Sequence, residues 1–183
     1  MVIEAFDGGV SKMFEVGDYV VNANNGICKV EDKVHLELPM GNRDKLYYLI
    51  VPIGEKSTKL YIPVDSDKQR IRKAMDETQA LRVIDEIPRI EAVWIANDKQ
   101  REQCYKEAIF SCEPKKLVGI LKCMYLRNMQ RSAEGKKNTT IDERYFKVAE
   151  NNLYSELAFA MHKDKDEMRQ LITDRIHAME EAK

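Results

Sequence analysis

Long apolar runs, glycine-rich phosphate loops and paired cysteines are all missing from this chain of 183 residues, and each absence narrows its chemistry. No window approaches the roughly 18 uninterrupted apolar residues of a spanning helix. The first dozen residues also lack the basic-then-apolar order of a secretory signal, so a cytoplasmic protein with no membrane partner is expected. The eight glycines contain neither G-x-G-x-x-G nor G-x-x-x-x-G-K-S/T, which argues against nucleotide-dependent catalysis. His35, His162 and His177 are isolated, and no His/Cys/Asp grouping has ligand spacing, so neither metal nor cofactor is expected. The four cysteines (Cys28, Cys104, Cys112, Cys123) form no C-x-x-C pair and are expected as reduced, mostly buried thiols. Cys104 and Cys112 have no histidine nearby in sequence to make either a nucleophile. Asp164, Asp166 and Glu167 stand at a helix start, where carboxylates complement the macrodipole. Nothing in the chain marks it as an enzyme.

Net charge is nearly absent too, since 30 Lys plus Arg oppose 31 Asp plus Glu. With 44 % apolar and 33 % charged residues, the composition is that of one or two globular domains. The charge is unevenly placed. Residues 1–88 carry 12 basic and 15 acidic side chains, residues 89–137 carry 11 and 6, and residues 138–183 carry 7 and 10. The +5 middle segment is where a polyanion would bind.

Residues 1–12 end in a Gly-Gly signal and are expected as a leader or extension. From Met13 the texture is that of strands: Phe14 to Val21 around a Gly17-Asp18 turn, an Asn25-Gly26 hairpin, then Ile27 to Val30. Runs at Lys45–Val51 and Thr58–Pro63 flank a Gly54-Glu55-Lys56 turn. Four or five short strands predict a small, strongly bent antiparallel barrel over residues 13–75. The period then lengthens. Asp76-x-x-Gln79 caps a helical linker over 76–88 that ends at Pro88. Residues 89–183 read as an all-α domain, making the fold class α+β. Its helices are expected over 91–112, from Pro114, from a Thr140-x-x-Glu143 box and from an Asp164-x-x-Glu167 box. On the third of these, Ile141, Tyr145, Ala149, Leu153, Leu157 and Met161 form one apolar row.

The only tryptophan, Trp94, opens the basic segment. A lone Trp serves either as a core anchor or as an exposed surface for stacking on or wedging between bases, with Lys99, Arg101 and Lys106 on the phosphates. Helical spacing permits both arrangements.

The order of these features resembles the CarD/CdnL family. Met13-Phe14-x-Val16-Gly17-Asp18-x-Val20-Val21, the Asn25-Gly26 turn, Tyr48-Leu49-Ile50-Val51 and Leu60-Tyr61-Ile62-Pro63 are similar to that family's RNA-polymerase-interacting domain, which transcription-repair coupling factor also carries. Trp94, the Leu117–Arg127 stretch and Ser155-Glu156-Leu157-Ala158 continue the resemblance into the family's helical DNA-binding domain. It implies a bacterial transcription regulator with a Tudor-like barrel, which would contact the RNA polymerase β subunit through Tyr48, Ile50, Lys59, Tyr61, Ile62 and Pro63. The helical domain would meet promoter DNA at the upstream edge of the bubble without reading sequence, with Trp94 as the wedge that stabilises the open complex. Lys115, Lys116, Arg127, Arg131, Lys136 and Lys137 extend the implied DNA face. The chain departs from its relatives in two places. Tyr61 and Lys59 precede Pro63 where relatives carry an Arg, and Ile95-Ala96-Asn97-Asp98 stands where relatives have a basic run. Such a regulator would be nucleoid-associated and monomeric, with weak pairing through a barrel edge. The alternative reading is a barrel-plus-helices adaptor that binds only protein. A small enzyme is a more distant rival, for want of a catalytic set.

Overall fold

A computed structural model describes residues 14–36, 45–55, 57–65, 71–93, 95 and 98–181, without the side chains of 98, 99, 173 and 175–181. The expected leader at 1–12 lies outside the described residues, as does Trp94. Five strands come first: β1 (Tyr19–Asn22), β2 (Gly26–His35), β3 (Leu46–Pro52), β4 (Leu60–Pro63) and β5 (Ile71–Lys73). They form one antiparallel half-barrel sheet in the order β4-β3-β2-β1-β5. The helices follow: α1 (Glu77–Glu86) with a 3-10 turn over Ile87–Arg89, α2 (Asp98–Phe110), α3 (Pro114–Ala133), α4 (Thr140–Ala160) and α5 (Lys165–Glu181). The α+β reading therefore stands. The chain divides into one unit of residues 1–20 and 28–69 and another of residues 21–27 and 70–183.

In the first unit the turn chemistry is local. Gly17 has φ +96°, which lets the chain reverse so that its N–H bonds Val30 O at 2.7 Å while Val30 N–H returns to Asp18 O at 2.8 Å. Phe14, just before this turn, packs inward and meets Tyr48 edge to face, ring centroids 5.5 Å apart. Phe14, Val20, Cys28, Val30, Tyr48 and Ile50 are among the buried apolar residues described here. A bulge at Glu31 breaks the β2–β3 register between Val30 and Asp32.

In the second unit, the residues expected as a linker form α1, and its Ala80, Val83 and Ile84 sit in the same core as Tyr105, Ile120, Met124, Leu157 and Met168. Asp76 and Gln79 make the expected reciprocal cap, and Asp164 and Glu167 make another. The cap of α4 is one residue earlier than expected. Thr139 has the extended backbone, and its hydroxyl accepts from Asp142 N–H at 3.1 Å. The helix expected from residue 91 begins at Asp98. On α4 the expected row buries Tyr145, Ala149, Leu153 and Leu157, while Ile141 is exposed. All four cysteines are free, and Cys28, Cys112 and Cys123 are buried.

One polar contact ties this unit together. Glu156 on α4, 1 % exposed, accepts two bonds from the Arg72 guanidinium at 2.5 Å and one from Met75 N–H at 3.0 Å. Arg72 also donates to Cys112 O, a carbonyl presented by a left-handed residue (φ +56°) just beyond α2. A buried carboxylate is tolerable only with such a complete partner set. Arg72→Met leaves that charge stranded and is expected to cost about 3 kcal/mol in urea unfolding, and Arg72→Met with Glu156→Met together less than Arg72→Met alone. Equal costs for the single and double variants would contradict the assignment.

Candidate functional site

β4 closes one end of the sheet, paired only with β3 among the described residues. Tyr48 opposes Ile62, Ile50 opposes Leu60, and Val64 N–H bonds Leu46 O at 3.0 Å. Antiparallel bonds recur every second residue, so Leu60 and Ile62 bond β3, while the backbone N–H and C=O of Tyr61 point away from the sheet. Pro63 occupies a position at which no N–H is required toward β3, which is where an edge strand accepts proline.

The pleat corrects part of the expected contact set. Tyr48 and Ile50 are 0 % exposed: the Tyr48 hydroxyl accepts from Phe14 N–H at 2.9 Å, and Lys33 lies over its ring. Ile62 shares that inward face by register. The outward face belongs to the odd-numbered residues: Tyr47 and Leu49, half-buried, with Tyr61, 45 % exposed, across from Leu49. Of the expected polymerase-contact residues, Lys59 and Tyr61 are exposed and Pro63 is half-buried.

The expected DNA-facing cations are mostly engaged by the protein itself. Arg101 is 5 % exposed, because on α2 it opens the buried stripe 101, 105, 108, 109 and does not stand on the outer face. Lys106 pairs with Glu102 at 3.1 Å, and that hydrogen bond holds its pKa above the ordinary lysine value. Lys115 pairs with Glu86, Lys116 with Glu113 and Lys136 with Glu134, each at 2.8 Å. Arg131 donates to Lys137 O at 2.8 and 2.9 Å. Arg127 turns toward the buried Asp142, 3.6 Å away, whose other oxygen accepts from Tyr105 OH at 3.1 Å. Burial, then the Asp142 charge, push the Tyr105 hydroxyl pKa well above the ordinary tyrosine value. Lys99 lies on α2 with its side chain outside the described residues. Arg89, which the sequence reading passed over, is exposed at the end of the turn that follows α1, five residues before Trp94. Its position before the tryptophan was the available signal.

The architecture invites comparison with known families. Residues 14–75, about a third of the chain, match the model of the CarD-like/TRCF RID domain. This segment is a CarD-like RNA-polymerase-interacting domain. The chain is thereby an RNA-polymerase-interacting, transcription-related protein. Comparison with curated proteins gives no match. The matched RID segment contains the edge strand and the outward face just described, along with the inward Tyr48. The cations of α2 and α3 lie beyond it.

The two faces of the RID sheet separate by mutation. Tyr48→Phe deletes the acceptor of the buried Phe14 N–H and is expected to destabilise the domain by about 1–3 kcal/mol in urea unfolding, with polymerase affinity unchanged where the variant is folded. Weakened polymerase binding at unchanged stability would return Tyr48 to the contact surface.

Proposed function

We propose that this protein bridges RNA polymerase and promoter DNA and stabilises the open promoter complex, acting without catalysis. The RID domain docks on the polymerase β subunit, and the helical unit meets DNA at the upstream edge of the bubble. The observation that carries the reading is the β4 edge of an RID domain. A partner strand adds to an edge through main-chain bonds, the Tyr61 N–H and C=O are oriented for it, and Tyr47, Leu49 and Tyr61 supply apolar contact beside it. The same edge would allow weak pairing of two copies when polymerase is absent.

Support for the DNA half comes from Trp94 and the basic segment that it opens. Since Lys106, Lys115, Lys116 and Lys136 are already paired, phosphate attraction is weak on its own, and polymerase supplies the local concentration at which a Trp wedge works. Sequence preference then belongs to polymerase, and the protein acts in the nucleoid of the cytoplasm. The internal pairing of the cations also suits an adaptor that binds protein alone, so DNA binding must be tested directly.

Tyr61→Pro removes an N–H that β3 does not use, so the fold should survive while polymerase affinity falls by about tenfold, close to the worth of one or two hydrogen bonds. Lys59→Glu should weaken the same contact. Unchanged affinity in both variants contradicts the edge assignment. Binding to a forked duplex is expected at low salt, with a log–log salt slope no steeper than about −3, as for a protein that neutralises a few phosphates. Absence of any binding to the fork would favour the adaptor.

A further inference from the structure

We propose that α3 is the mount for the Trp94-bearing segment, with Gly119 and Lys122 as positioning residues that fix the backbone leading into residue 94. The inference deepens the DNA reading above and rests on it for the segment's role.

Residues 119 and 122 share one face of α3, spaced i and i+3. Lys122 reaches back across the chain, its Nζ donating to Ile87 O at 2.5 Å and to Ile90 O at 2.7 Å. The ammonium thereby closes the carbonyl end of the turn that follows α1. Burial lowers its pKa below the ordinary lysine value, as befits a cation whose hydration has been replaced by carbonyls.

One turn earlier, Gly119 O accepts from Val93 N–H at 3.2 Å. The Val93 side chain is 43 % exposed, so solvent reaches the residue while its amide is tied to a helix. The approach is close. A Cβ at position 119 would lie 3.0 Å from Val93 Cγ2 and 3.4 Å from Glu91 O. Glycine is disfavoured within a helix relative to alanine, so close packing is the physical reason to find it there. Just beyond residue 94, the Ile95 side chain is buried in the helical core.

The backbone is thus held at residues 87, 90 and 93 by one helix. A wedge transmits the load of an unstacked base step to its own backbone, so holding that backbone in place before binding removes an ordering cost from the open complex.

Hydrogen exchange on the unaltered protein tests the mount first. The amide of Val93 should exchange roughly a hundredfold slower than unstructured amides, and slower than Ala92 between the anchors. Exchange of Val93 at the Ala92 rate overturns the proposal. Lys122→Met keeps the side chain's length without its donors, and Gly119→Ala adds the clashing Cβ. Either is expected to increase acrylamide quenching of Trp94 and to shorten open-complex lifetime toward that of Trp94→Ala, with polymerase affinity unchanged. Lys122→Arg should restore part of that lifetime. A normal lifetime in Lys122→Met and Gly119→Ala, where Trp94→Ala shortens it, overturns the mount. Should Trp94→Ala itself have no effect, the DNA reading fails, and the anchoring is still decided by the exchange of Val93.

Discussion

A carboxylate that water barely reaches organises the helical unit. Glu156 sits on α4 with both oxygens engaged by Arg72 and a third bond from Met75 N–H, while Arg72 also holds the carbonyl of Cys112. Three stretches far apart in sequence, the β5 segment, the residues just beyond α2 and the C-terminal part of α4, are thus joined at one charge pair. Such a pair adds little net stability compared with apolar packing, but the price of breaking it is high. It therefore selects one arrangement of these elements over others, and α3, which begins two residues after Cys112, inherits its placement from that arrangement.

Charge is used differently here from what a nucleic-acid-binding surface normally requires. The middle segment carries a +5 excess, yet its cations close helix ends, pair with glutamates or, in Lys122, bond main-chain carbonyls. The RID sheet offers the complementary economy, a bare edge at Tyr61 and an apolar outer face on β3 and β4. Together these features fit a protein whose affinity comes from strand addition to polymerase and whose DNA contact is short, local and weak in isolation.

Much of the fold was legible because local chemistry and tertiary structure agree. The Asn25-Gly26 hairpin, the Asp76 and Asp164 caps and Pro114 at the start of α3 all stand where the sequence places them. Three features depend on long-range geometry. Pleat parity decided between Tyr48 and Tyr47: both lie in one apolar run, and only the pairing to β4 and the bond from Phe14 set which faces inward. Arg101 reads as a surface cation until α2 is seen to bury the face it shares with Tyr105. β5 is three residues long with two cations, Ile71-Arg72-Lys73, and becomes a strand only by joining the sheet. The roles of Gly119 and Lys122 were equally invisible, since each depends on carbonyls or side chains some thirty residues away.

The central claim is that one chain carries polymerase affinity and bubble stabilisation on separate surfaces. The most direct measurement is the lifetime of promoter open complexes under competitor challenge, with no added protein, with the parent protein and with Trp94→Ala at concentrations that saturate polymerase. A longer lifetime is expected with the parent protein, and a lifetime near the unassisted value with a Trp94→Ala variant that still binds polymerase fully. A parent protein that binds polymerase without extending the lifetime, or a Trp94→Ala variant that extends it equally, would overturn the proposed role of Trp94.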